Sequence, residues 1–214
     1  GAVRLLRADP RRGVHLMEWL GDSLEHWSDA EAATLAVAGL YATLHRPAAP
    51  QLPDVHPMVL GWLGDLAALG RRVPAPPRLV EQALSAGRRL ASEQGTHVLH
   101  GDLHYENVLD RAGEWVAIDP KGHNGDPCYE LQPLLTNRWA ELEASGNVGE
   151  AIRDRFFQVV DAAGLDERRC RDWVVVRSMI SVGWACRPDG SVGDQQWWIT
   201  RQITVAKAMQ AVEV

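Results

Sequence analysis

Asp102, Asn107 and Asp119 fall within one stretch, Val98 to Asp119, in which short β-favouring runs alternate with turn formers. Val98-Leu99 and Val108-Leu109 bracket a polar loop, and a third run, Trp115 to Ile118, follows a turn at Asp110 to Gly113. The loop carries Asp102 and, five positions on, Asn107, and the last run ends in Asp119. A carboxylate, an amide and a second carboxylate suit phosphoryl transfer. That reaction needs one group to orient an attacking hydroxyl and accept its proton, and oxygen ligands to hold a divalent cation against the phosphates. Asp102 fits the first task, Asn107 and Asp119 the second. Polar residues in surface turns are the plain alternative, since Asp and Asn are common there. The order strand, His-Gly-Asp loop, strand, turn, strand ending in Asp favours the chemistry.

In protein kinases the corresponding loop reads His-Arg-Asp with an Asn five positions after the Asp, and the metal-binding Asp opens Asp-Phe-Gly. Here His100-Gly101-Asp102 keeps the step to Asn107, and Ile118-Asp119-Pro120 replaces the second motif. At these residues the chain resembles the aminoglycoside phosphotransferase branch of the kinase-like superfamily. Ala117 to Gly122 is similar, more narrowly, to the streptomycin 6-phosphotransferase and hydroxyurea-resistance kinase family. The resemblance implies an α+β fold: a protein-kinase-like large lobe, mainly helical, with short strands around the catalytic loop and most of the small lobe absent. It implies ATP and Mg²⁺, with the γ-phosphoryl passing to a hydroxyl of an aminoglycoside-like antibiotic of the streptomycin type.

By the same resemblance Asp102 is the catalytic group, Asn107 and Asp119 hold Mg²⁺, and His100, Gly101, His104 and Lys121 support the loop. Histidine titrates near neutrality, so His104 and His123 are also candidates for acid/base work, with loop scaffolding as the alternative. Lys121 suits a local salt bridge or a contact to phosphate. Asp126, in Gly-Asp-Pro, and Glu130, where many relatives carry Asp, are placed on the substrate side, although a helix cap explains Asp126 equally well. Glu106 is bulkier than the small residue often found there. Trp184 and Trp197, with Trp198, would wall a pocket for a sugar or cyclitol ring, or else belong to the core.

The chain opens on a hairpin, Ala2 to Ala8 and Val14 to Leu20 about a turn at Asp9 to Gly13. The resemblance puts the hinge here, with the backbone of Glu18, Trp19 and Leu20 at the adenine edge. Residues 1–20 are then a remnant of the small lobe and hinge, and 21–214 the helical large lobe. The only lysines are Lys121 and Lys207, and no glycine-rich phosphate loop is present, so this chain alone is expected to be inactive. Periodicity predicts a helix from Ser28, boxed by Glu31, with Ala32, Leu35, Ala36, Gly39, Leu40, Thr43 and Leu44 on one face. His45 closes that helix, where the helix dipole favours an imidazole. Further helices are expected at about Pro57 to Leu69, from Leu79 to Ala91, from Pro127 to Leu142, and at about Val148–Ala163, Asp166–Cys186 and Asp194–Val212.

Composition narrows the class. With 214 residues, 46% apolar and 23% charged, the chain supports one sizeable core and is neither disordered nor fibrous. A net charge of -6 argues against a nucleic-acid partner. No run is long and apolar enough to span a membrane, and Cys128, Cys170 and Cys186 show no Cys-x-x-Cys pairing, which suits buried thiols in a reducing compartment. The expected partner is a small-molecule hydroxyl substrate, with no nucleic acid, no membrane and a cytoplasmic location; the oligomeric state stays open. A kinase of a small metabolite (sugar, choline or homoserine type) and a non-catalytic ligand-binding lobe are the rival readings.

Overall fold

Among the described residues six short strands pair into three separate antiparallel ribbons, and the way two of them nest decides where the candidate site residues go. The computed structural model describes residues 1–212; the expected large-lobe residues 213 and 214 lie outside the described residues. β1 (Leu5–Asp9) pairs with β2 (Val14–Met17), β3 (His97–Leu99) with β6 (His123–Gly125), and β4 (Val108–Arg111) with β5 (Glu114–Ala117). Because β3 pairs with β6 outside the tight β4–β5 hairpin, the loop leaving β3 and the loop leaving β5 must face each other. Three hydrogen bonds fasten them: Ile118 N to Asn107 O at 2.9 Å, Lys121 N to His100 O at 2.7 Å, and His100 Nε2 to Ile118 O at 2.7 Å.

The helices form the body. α1 (Ala30–Leu44) starts at Asp29, whose carboxylate accepts from Ala32 N at 2.9 Å, so the cap is Asp29 and not Ser28. Its buried face is Ala33, Thr34, Val37, Ala38, Leu40 and Tyr41, rotated from the expected stripe, and Leu35 is exposed. An alanine-rich helix offers several faces of equal apolarity, and packing selects among them. α2 (Val55–Leu69) begins ahead of Pro57 because Asp54 caps His56 N; its other carboxylate oxygen accepts from Gly95 N at 2.8 Å and ties the helix to the approach to β3. α3 (Pro77–Leu90) follows.

The single helix expected from Pro127 to Leu142 is broken into a 3₁₀ turn (Pro127–Leu131), α4 (Gln132–Thr136) and α5 (Trp139–Ala144). At the break Arg138 adopts φ 51°, and Arg155 of α6 (Val148–Ala163) donates to the freed carbonyls of Leu134 at 3.2 Å and Asn137 at 2.7 Å. A buried cation thus caps the helix end from a neighbouring element. α7 (Glu167–Ala185) is the central helix, buried almost all round from Cys170 to Val182 and packed by α2, α3 and α8 (Gln196–Gln210). The β1–β2 hairpin is the opposite case, with Leu5, Leu6, Val14, Leu16 and Met17 all exposed.

Gly95 passes so close to β6 that an added Cβ would come within 2.6 Å of the Gly125 backbone. Gly95→Ala is therefore expected to lose about 1–3 kcal/mol of stability, because backbone must shift to admit it. Urea denaturation measures this, and an unchanged midpoint would contradict the close approach.

Candidate active site

Alternation along the loop after β3 sorts its side chains. Leu103 and Tyr105 are fully buried, and the Tyr105 hydroxyl meets Thr34 Oγ1 at 2.7 Å while Ser23 Oγ donates to Tyr105 O at 3.0 Å. Asp102, His104 and Glu106 therefore face outward along a cleft. Asn107 Nδ2 donates to Asp102 O at 2.9 Å and folds the loop on itself. Its Oδ1 has no hydrogen-bond partner among the described residues, so the oxygen remains free. Asp119 closes the facing loop in the left-handed region, at φ 54°, which a non-glycine residue seldom adopts.

Beneath the loop lies Glu130. Its carboxylate is fully buried and accepts from His100 N at 2.6 Å and Gly101 N at 3.0 Å. His45, stacked on Tyr41 with ring centroids 4.9 Å apart, brings Nε2 to 3.6 Å from Glu130 Oε1. Burial pushes the Glu130 carboxyl up, but the His45 ring beside it and the Arg177 guanidinium outweigh it and hold it below the usual carboxylate range. Arg177 of α7 donates to Gly101 O at 3.0 Å and Tyr129 O at 2.8 Å, with its guanidinium 4.0 Å from the Tyr129 ring centroid. The Gly101 peptides are thus held on both their N–H and C=O sides.

These contacts correct two expectations. Glu130 was placed on the substrate side, yet it sits under the loop with both oxygens occupied by backbone donors. Asp126 is buried as well: it caps Cys128 N at 2.9 Å and accepts from Trp173 Nε1 at 2.6 Å and from Arg169. A carboxylate opening a turn at Pro127, and facing an indole N–H and a guanidinium, is spent on structure.

Lys121 joins the two loops. Its Nζ lies 2.9 Å from Asp119 Oδ2 and 3.4 Å from Asp102 Oδ2, so Asp102 and Asp119 share one ammonium. The Lys121 hydrogen bond holds the Asp119 carboxyl below its ordinary range, and Asp119 in turn raises the lysine. His104 Nε2 is 4.0 Å from Asp102 Oδ1, and burial lowers its affinity for a proton, which favours the neutral ring.

Two clefts meet at Asp102. One, of about 390 Å³, runs past His104, Glu106 and Thr136 to Trp184 and Trp197; the other, of about 410 Å³, holds Lys121, His123 and Trp62. Trp184 borders both and is 57% exposed, and Trp197 is 54% exposed, so neither indole belongs to the core. A larger cleft of about 710 Å³ between α2 and α3 lacks every one of these residues, so size does not mark the site. Glu18 accepts from Arg4 N at 2.6 Å and pairs with Arg111; Trp19 is 96% exposed and Leu20 half-buried. Their neighbour Gly21 donates to Asp110 O at 2.7 Å, which lays this segment along β4. Arg177 and Trp62 escaped the sequence reading, although a lone arginine inside the apolar run Val174–Met179 signals a buried cation that must be paired.

The architecture is that of the kinase-like class. The chain aligns over 99% of its length with a choline/ethanolamine kinase family protein from Mesorhizobium loti (TM-score 0.64, 18% identity, 74% of that chain). It aligns equally far with an aminoglycoside phosphotransferase in complex with ADP and hygromycin B (TM-score 0.56, 16% identity, 78% of that chain). The family model for aminoglycoside/hydroxyurea antibiotic resistance kinases matches residues 1–190, and the chain belongs to this family. It is 38% identical over 204 residues to a streptomycin 6-kinase of Streptomyces glaucescens, covering 89% of this chain and 64% of the relative. Identity to a hydroxyurea phosphotransferase of Kitasatospora aureofaciens is 37% over 220 residues, covering 98% and 60%. The chain thus spans 60% to 64% of the length of these relatives.

Glu130→Gln turns an amide N–H₂ toward backbone donors and is expected to cost about 2–3 kcal/mol at neutral pH. Because the carboxyl is held below its ordinary 4.5, its contribution is full above that pH and is lost as pH falls through its folded value. Urea titrations of both forms between pH 7 and pH 3 should show the gap closing on acidification; a gap constant with pH would contradict the assignment.

Proposed function

We propose that this chain is the acceptor-binding and catalytic part of an ATP-dependent phosphotransferase that inactivates an aminoglycoside-like antibiotic of the streptomycin type by phosphorylating a hydroxyl. The observation carrying the reading is the shared position of Asp102 and Asp119 around one cation, with Asn107 hydrogen-bonded to the Asp102 carbonyl in the same loop. Two carboxylates and an amide are hard oxygen donors that suit Mg²⁺ when phosphates complete the shell. Among the described residues no cluster of three or more His, Cys, Asp or Glu would hold a metal by itself.

Asn107 and Asp119 would hold Mg²⁺, which when bound neutralises phosphate charge as the transferring group separates from ADP. Asp102 orients the acceptor hydroxyl and takes its proton as the new O–P bond forms and the bond to the leaving ADP oxygen breaks. Glu130 and Arg177 keep the Asp102 backbone fixed while this happens, which supports catalysis by positioning. Neutral His104 packs beside Asp102 without competing for the proton. Trp184 and Trp197 offer apolar faces to a sugar or cyclitol ring. Residues 1–20 would serve as a remnant of the small lobe and hinge. The exposed Leu5, Leu6, Val14, Leu16 and Met17 would lie under further small-lobe sheet, and the segment at Glu18 to Leu20 would present backbone groups to adenine. The unpaired cysteines and the lack, among the described residues, of any helix able to cross a membrane fit a cytoplasmic enzyme.

In an enzyme of the relatives' full length, Asp102→Asn is expected to lower turnover by about 10²- to 10⁴-fold with little change in melting temperature. Near-normal turnover would remove Asp102 from the mechanism. A γ-phosphate-labelling screen over streptomycin, other aminoglycosides, hydroxyurea, choline and simple sugars should label the antibiotics; labelling confined to metabolites would overturn the substrate class. This chain alone should transfer no phosphate in the same assay, and robust transfer would refute the two-lobe reading.

A further inference from the structure

The stem of Lys121 crosses the backbone of Gly101, which stands at φ 86° and where an added Cβ would approach Lys121 Cβ to 3.2 Å. The Lys121 amide is tied to His100 O at 2.7 Å. The start of the side chain is therefore fixed by both loops, and its direction leads the ammonium between Asp102 and Asp119. Among the described residues no other side chain pairs with both carboxylates, and Arg177, which borders the same clefts, is occupied by the Gly101 and Tyr129 carbonyls. Lys207, the second lysine, is on α8, and His104, the nearest ring, is shifted by burial toward its neutral form. Lacking that ammonium, two carboxylates on facing loops would repel each other.

We infer that Lys121 is a resident counter-ion: it holds Asp102 and Asp119 together before metal arrives, and yields Asp119 to the divalent cation on loading. The inference rests on the reading of Asp119 as a metal ligand. Asp119 is mostly exposed and the Lys121 side chain nearly half so, and an exposed ion pair is weak enough to be exchanged. The lysine does not leave the site when released. Its stem remains over Gly101, which keeps the ammonium beside Asp102.

The test is Mn²⁺ titration of an enzyme of the relatives' full length with a non-hydrolysable ATP analogue, whose phosphates complete the shell, read by water-proton relaxation enhancement, for the wild type, Lys121→Met, Lys121→Arg and Asp119→Asn. Removing the competing charge in Lys121→Met should tighten Mn²⁺ binding about fivefold, whereas Lys121→Arg, which keeps a cation in place, should stay near the wild type. Unchanged or weaker binding by Lys121→Met, with Asp119→Asn clearly weakened, would overturn the exchange while leaving Asp119 a ligand. If Asp119→Asn binds as the wild type does, or if no form binds in the millimolar range, the metal-ligand reading falls and the exchange with it. Circular dichroism of each variant confirms that folding is intact, as an exposed side chain permits.

Discussion

The site depends on one buried carboxylate accepting two consecutive backbone N–H groups. Glu130 meets the amides of His100 and Gly101 from beneath, and Arg177 meets the Gly101 carbonyl from α7. A loop whose peptides are satisfied on both sides by buried charges has little freedom to drift, because each lost bond would leave a charged group unpaired in the interior. The His45 ring and the Arg177 guanidinium beside it hold the Glu130 carboxyl below its usual range despite its burial. The rigidity of Asp102 therefore originates in residues that never face the cleft.

Nested strand pairing supplies the second constraint. Once β3 pairs with β6 and β4 with β5, the segments after β3 and after β5 lie face to face, and Asp102, Asn107 and Asp119 come together although 17 positions separate the first from the last. Lys121 then lies between two like charges that the topology forces into proximity. The same arrangement ties the loops together at rest and, on the proposed reading, leaves a cation site that a metal and phosphates would complete. Trp184, standing between the two clefts, divides the space beside Asp102 and, on the proposed reading, would give an acceptor ring an aromatic wall on one side.

Much of the stretch from Val98 to Asp119 was legible from local sequence. Strand, loop and turn signals at Val98 to Asp119 follow from residue types a few positions apart, and the fixed step from Asp102 to Asn107 survives as a compact 3₁₀ turn at Tyr105 to Asn107. What escaped depends on distant partners. Glu130 reads as one more acid until the loop 30 residues earlier is laid on it. Asp126 looks available until Trp173 and Arg169 claim it. The helix expected through Leu142 stops at Thr136 because Arg155, reaching in from α6, satisfies the carbonyls that a break exposes. The face of α1 is ambiguous for a related reason, since six alanines among its fifteen residues leave periodicity little to act on. Exposure of Trp184 and Trp197 is likewise a property of how α7 ends and α8 begins, and no single segment encodes it.

The central claim is that the two facing loops assemble one metal–triphosphate site with Asp102 at the acceptor side. The most direct measurement is the anomalous scattering of Mn²⁺ in crystals of a protein of the relatives' full length, grown with a non-hydrolysable ATP analogue. The account predicts a manganese peak coordinated by Asn107 and Asp119, with the Asp102 carboxylate facing the terminal phosphate from the Trp184 side. A peak bound elsewhere, or a terminal phosphate remote from Asp102, would contradict it.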